Sequence, residues 1–235
     1  MATLISGKNT VLEAIKAERK IERVFVQDGT NKDLQHMLRE RDIAFDIVSK
    51  QDLGNLLPGN HQGIVAEVAD YELLTLEDAL AKPTERKLYV MLDSIEDPHN
   101  LGAILRSADA FNVDGVIIPK RRSAQVTATV AKVSTGAIEY VDVIQVTNLH
   151  QTIRKLKENG FWIVGTDMDT PQTIHDIDAN ANLCVVIGSE GKGMSRLIRD
   201  NCDYIVKIPM SGHVNSLNAS VSAAIVLYEI YRKRG

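Results

Sequence analysis

From residue 87 to the end of the chain, short β-branched runs alternate with stretches whose apolar positions recur every three or four residues. The runs predict strands over 87–93, 115–118, 141–146, 161–167, 183–188 and 204–208. Helical spacing appears at Leu101, Ile104, Leu105 and Ala108, at Val126, Val130 and Val133, and at Ile153 and Leu156, and a last helix is expected over 219–233. Strand and helix in alternation predict an α/β fold, a mostly parallel sheet with helices on both faces. The first 70 residues repeat this on a smaller scale, with helices over 7–17 and 32–41 and strands over 21–27, 44–48 and 62–68. The intervening YELLTLEDALAKPTERK holds Pro83 and a charge-rich turn. The expected organisation is a small α/β module at 1–70, a linker at 71–86 and a larger α/β domain at 87–235.

Composition narrows the function classes. Of 235 residues, 44% are hydrophobic and 25% charged, as in ordinary globular proteins. No apolar run approaches the ~20 residues of a membrane helix, and MATLISGKNT lacks the basic-then-apolar layout of a secretion signal, so a cytoplasmic location is expected. Cys184 and Cys202 have no CxxC spacing, and the six histidines form no HxH or HxxxH pair. Neither a disulfide nor a metal site is expected. A net charge of −4 argues against a broad basic surface, so any nucleic acid must be met by local patches.

Three segments carry candidate chemistry. In LDSIEDPHNLGAILRSADA (92–110) a strand runs into a loop where Asn100 can cap a helix starting at Leu101, and Arg106 follows six residues, about 1.7 turns, later. A lone surface arginine is the plain alternative. In VVIGSEGKGMSRL (185–197) an apolar run meets a glycine-rich loop with one carboxylate, Glu190, and one cation, Lys192. This loop fits neither GxxxxGK[ST] nor GxGxxG, which disfavours a nucleotide-dependent enzyme of another α/β class. IPMSGHVNSLNA (208–219) leads from a strand into small and amide-bearing residues, where Ser216 or Asn218 can cap the final helix.

In this order, the three segments resemble the signature of the SpoU (TrmH) family of RNA ribose 2′-O-methyltransferases, across the last two thirds of the chain. ISGKNTVLEAI and NHQGIVAEV are similar to the L30e-like RNA substrate-binding domain that precedes the catalytic domain in several members. The resemblance implies a SPOUT-type fold with a deep trefoil knot, S-adenosyl-L-methionine as methyl donor, and a homodimer with the active site near the subunit interface. It implies catalytic roles for Asn100, Arg106, Glu190, Ser216 and Asn218, with Arg106 assisting activation of the ribose hydroxyl. It also implies cofactor contacts at Gly188, Ile208 and Leu217. The motif wording is most similar to the bacterial 23S rRNA guanosine 2′-O-methyltransferases. Transfer RNA, another rRNA nucleotide, or a non-catalytic role in ribosome assembly are the alternatives. Lys120, Arg121 and Arg122 form a compact cluster that either meets RNA phosphates or is a solvated loop.

Overall fold

The computed structural model describes residues 2–235. The chain runs β1 (Ala2–Ser6), α1 (Lys8–Lys16), β2 (Ile21–Gln27), α2 (Lys32–Glu40), β3 (Phe45–Val48), α3 (Lys50–Leu56), β4 (Ile64–Ala69), α4 (Leu76–Ala81), β5 (Leu88–Asp93), α5 (Pro98–Ala110) and β6 (Gly115–Pro119). It continues with α6 (Ala128–Val133), β7 (Asp142–Val146), α7 (Leu149–Glu158), β8 (Phe161–Thr166), β9 (Asn182–Gly188), α8 (Arg196–Arg199), β10 (Tyr204–Val206) and α9 (Ala219–Arg234). Two compact units result, one of residues up to Glu72 together with Val126–Tyr140, the other of Leu73–Gln125 and Val141–Gly235.

The first unit is built on a mixed sheet of order β1-β4-β2-β3, antiparallel except between β2 and β3. Segment 126–140, expected within the larger domain, belongs here instead. Val130, Ala131, Ala137 and Ile138 are buried. Glu139 accepts from Arg19 at 3.0 Å and from the Tyr71 hydroxyl at 3.1 Å, while the Arg19 guanidinium lies 3.4 Å from the Tyr71 ring centroid. Burial and the Glu139 charge push the Tyr71 phenol up. With Arg19 and Glu139 side chains both under a tenth exposed, losing either partner leaves a buried charge unpaired.

The second unit holds a six-stranded, wholly parallel sheet of order β10-β8-β9-β5-β6-β7. Its central strand β5 is buried at every position, which is why it reads as a continuous apolar run rather than an alternating one. One face packs Tyr89, Met91, Ile163 and Val186 against Leu76, Ile153 and Leu156 of α4 and α7. The other is covered by α5 and α9, which lie against each other and bury Leu101, Ile104, Leu105, Ala223, Val226 and Leu227. After β10, at the sheet edge, the chain returns so that α9 contacts both α5 and β9.

The stretch expected to be a linker is structured from Leu73 onward and part of this unit. Leu74 pairs with Ile144 beside β7, Thr75 and Asp78 form a reciprocal capping box on α4, and the buried Lys87 ammonium donates to the carbonyls of Ala79 and Leu80 at the C-terminal end of α4.

Glu229, on α9, is pulled down to about 2 by its hydrogen bonds from Arg232 and then from His175. A depressed carboxyl contributes stability above its unfolded pKa and loses it as pH falls through the folded value. The Tm difference between wild type and Glu229→Gln should hold steady above about pH 4.5 and close as pH falls toward 2. Thermal scans across that range check this; a difference independent of pH would deny the ion pairs their contribution.

Candidate active site

All strands of the parallel sheet end on one edge, and the strand order reverses direction at β5, with β6 on one side and β9 on the other. Ligands of open α/β sheets sit in the crevice outside the strand ends at such a point. Here the first turn of α5, following β5, carries Asn100 and the loop after β9 carries Glu190.

The loop after β9 is a tight turn. Ser189 and Gly193 exchange two backbone hydrogen bonds, of 3.1 and 2.9 Å, while Gly191 and Gly193 take left-handed φ of +77° and +65°, where L side chains are strained. Gly188 faces the returning strand of the turn so closely that a Cβ would sit 2.5 Å from the Gly193 carbonyl oxygen and nearer still to the Gly193 carbonyl carbon and the Met194 nitrogen. The turn projects Glu190 and Lys192 outward, both exposed.

Helix α5 starts three residues earlier than expected. Pro98 occupies its first turn and Asp97 is the cap, its carboxylate accepting from the His99 backbone N–H at 2.9 Å, a bond that also holds the Asp97 carboxyl down. Asn100 is therefore not the cap, and its side chain is free to reach across. Its Nδ2 donates to Glu190 Oε1 at 3.1 Å, its Oδ1 accepts from Asn218 Nδ2 at 3.0 Å, and Asn218 Nδ2 also donates to Glu190 Oε1. The Ala219 backbone N–H points at the same oxygen from 3.4 Å. Asn218 caps α9 as well, with Oδ1 accepting from Ser220 and Val221 N–H at 2.9 and 3.3 Å.

Two clefts meet at this cluster. The larger, about 430 Å³, is lined by Gly188, Ser189, Glu190 and Lys192, by Ile208 and Met210, by Ser216 and Leu217, and by Thr166 and Asp167 at the end of β8. The smaller, about 320 Å³, is lined by Ser94–Asp97, Asn100, Ser189, Glu190 and Asn218. Asn100, Glu190 and Asn218 are thus brought together, and Gly188, Ile208, Ser216 and Leu217 share the larger cleft with Glu190. Arg106 lines neither cleft and lies exposed on α5. Lys120, Arg121 and Arg122 also lie outside both, exposed after β6, but Ala124 N–H donates to the Ile95 carbonyl at 2.8 Å, which pins their loop beside the smaller cleft. Ile208 lies beyond β10, which ends at Val206 because Lys207 turns its backbone to Gln172 and Ile174. The wall residues Thr166, Asp167 and Met210 escaped sequence reasoning; a position at the end of a parallel strand is the signal that could have found the first two.

The larger cleft suits a ligand with one flat apolar part and one polar part. Ile208, Met210 and Leu217 offer aliphatic surface, while Ser189, Glu190, Asn215 and Ser216 offer hydrogen-bonding groups. The absence of a side chain at Gly188 lets the turn close against the strand end. S-Adenosylmethionine, an adenine joined to a charged amino-acid moiety, matches this set.

Comparison with known proteins agrees. Residues 87–228 match the model of the SpoU rRNA Methylase family, and residues 4–74 match that of the RNA 2′-O ribose methyltransferase substrate-binding domain. A Staphylococcus epidermidis protein assigned to the TrmH family of tRNA/rRNA methyltransferases is 50% identical over 98% of this chain and 96% of its own. The Bacillus subtilis protein YacO, assigned likewise, is 45% identical over 98% and 95%. The crystal structure of the SpoU methyltransferase AviRb from Streptomyces viridochromogenes in complex with AdoMet superposes with a TM-score of 0.85 at 27% identity, covering 99% of this chain and 90% of that one. With a glycine turn at the end of β9, an adjoining cleft that fits S-adenosylmethionine, and family matches over both parts of the sequence, the chain belongs to the SpoU (TrmH) family of S-adenosylmethionine-dependent RNA methyltransferases.

Proposed function

We propose that this protein methylates the 2′-hydroxyl of a guanosine ribose in 23S rRNA. The observation that carries the reaction type is the pair of clefts sharing Ser189 and Glu190, divided by the Asn100–Glu190–Asn218 cluster. The larger cleft takes the methyl donor, which supplies an electrophilic methyl on a sulfonium. The smaller is edged by Glu96, Asp97 and Glu190, so it repels phosphate and suits a neutral sugar with hydroxyl groups. The phosphates flanking that sugar fall to Lys120–Arg122, on the loop pinned at Ile95. The choice of 23S rRNA and guanosine rests on motif wording.

Among the described residues every hydrogen bond to Glu190 ends on Oε1, which leaves Oε2 for an acceptor hydroxyl. The chain's contribution is to orient that hydroxyl and offset the charge that develops on it. We assign Arg106 to an RNA phosphate and, through it, to stabilising the alkoxide, since a guanidinium with a pKa above about 12 is a poor base. Arg106→Lys should then lower kcat/KM for RNA by roughly tenfold and Arg106→Ala by more, with cofactor affinity unchanged. Full turnover in the lysine variant would remove the need for a bidentate contact.

We also propose a homodimer formed through α5 and α9, where Val221, Tyr228 and Tyr231 are exposed and Phe111 packs on both tyrosines. The SPOUT knot is proposed with it, on the return of the chain from β10 to α5. Light scattering should give twice the chain mass of 25.9 kDa.

The test of function is transfer from labelled S-adenosylmethionine to naked 23S rRNA and to bulk tRNA, with mass-spectrometric mapping of the product. 2′-O-Methylguanosine confined to 23S rRNA is the expected result. Label confined to tRNA would overturn the substrate, and no label despite cofactor binding would overturn the use of naked RNA.

A further inference from the structure

We propose that Asp93 is a positioning residue that sets both clefts at once through a single carboxylate. This rests on the reading that the clefts take donor and acceptor. Asp93 is the last residue of β5, is 5% exposed, and pairs in register with Gly188 of β9. One of its oxygens accepts the backbone N–H of Ser195 at 2.7 Å, and the other accepts the Ser94 hydroxyl at 3.1 Å.

The glycine turn that carries Glu190 stands on two feet. The first is Gly188, held to β5 by strand pairing. The second is the chain leaving Gly193, which passes over Gly188 and reaches Ser195, where Asp93 catches its N–H. The angle at which Glu190 meets Asn100 and Asn218 is set by how these feet are spaced. On the other side, Ser94 takes a left-handed φ of +63°, costly for a residue with a side chain, and turns the chain out of β5 into Ile95–Asp97, the wall of the smaller cleft. The Asp93 carboxylate holds the Ser94 side chain at this bend. Burying a carboxylate is unfavourable, and an apolar residue would pack at the end of β5 at lower cost, so position rather than stability accounts for its place.

The test uses Asp93→Asn, Asp93→Ala and Ser195→Pro in the full chain. Ser195 has φ −61°, which proline can adopt, so Ser195→Pro deletes the N–H that Asp93 accepts, and its ring, standing where that hydrogen was, pushes the carboxylate off the turn. Asparagine keeps an acceptor for Ser195 and can donate to Ser94. Cofactor affinity by calorimetry and kcat and KM for RNA are measured for each. Asp93→Ala and Ser195→Pro should each weaken cofactor binding and lower kcat by about 10- to 100-fold while the RNA KM stays within about threefold. Asp93→Asn should return most of both losses. Wild-type cofactor affinity in Ser195→Pro, or an asparagine variant no better than alanine, would overturn the proposal. Should the wild type bind cofactor yet methylate no RNA, the functional reading fails, and the cofactor arm still decides the role of Asp93.

Discussion

Gly188→Ala should cost this protein both its methyl donor and much of its stability. The added Cβ would meet the backbone of Gly193 and Met194, and neither is the yielding end of a flexible side chain. The turn must lift away from β9, carrying Ser189 and Glu190 with it, and the wall of the larger cleft opens. Overpacking of a tight contact costs about 1–3 kcal/mol, which in a chain of this size lowers Tm by roughly 2–12 °C. Cofactor affinity should fall by tenfold or more, since each factor of ten needs only about 1.4 kcal/mol of misplaced contact. Thermal melting and calorimetric titration with S-adenosylmethionine read the two effects separately. An alanine variant with wild-type affinity would mean that the turn is not the cofactor wall.

Asn218 should separate structure from chemistry. Its Oδ1 caps α9, while its Nδ2 serves Glu190 and Asn100. Asn218→Ala removes both, at about 1 kcal/mol for the cap and roughly 10²–10³ in kcat for the lost preorganised donor. Asn218→Asp retains the capping oxygen but replaces the donor with a second carboxylate facing Glu190. It should keep more of the Tm than alanine does while losing at least as much turnover. Equal activity in the aspartate variant and the wild type would show that the contact to Glu190 is incidental to catalysis.

How legible all this is from sequence depends on the range of the interaction. Strands β5 and β9 announce themselves because burial on both faces leaves unbroken apolar runs, and α9 because sixteen residues follow the Asn218 cap without a glycine or proline to break them. Helices α3 and α4 are absent from the sequence reading although each opens on a reciprocal capping box, Ser49 with Asp52 and Thr75 with Asp78. They are too short for periodicity to register, and each buries only one or two residues. Strand β1 goes unseen because its place depends on pairing with β4, more than fifty residues away. The site is the extreme case. Asn100 and Glu190 are 90 positions apart and Glu190 and Asn218 another 28, so no local pattern states that they meet. Resemblance to a family named those residues; the geometry adds that Asn100 is not a helix cap and that Arg106 lies apart from the two clefts.

The attachment of Val126–Tyr140 to the first unit has a consequence for how the protein is made. A module ending at residue 72 could finish folding while the rest of the chain was still being synthesised, and this one lacks a layer of its core until residue 140 has emerged. At about 5–20 residues per second the wait is several seconds. Until then Arg19 has no Glu139, and the apolar surface that Val130 and Ile138 later cover faces the crowded exit of the ribosome. The unit that begins the chain is therefore not completed by its own first 72 residues, and gene fragments cut at the apparent module boundary should express as aggregating species.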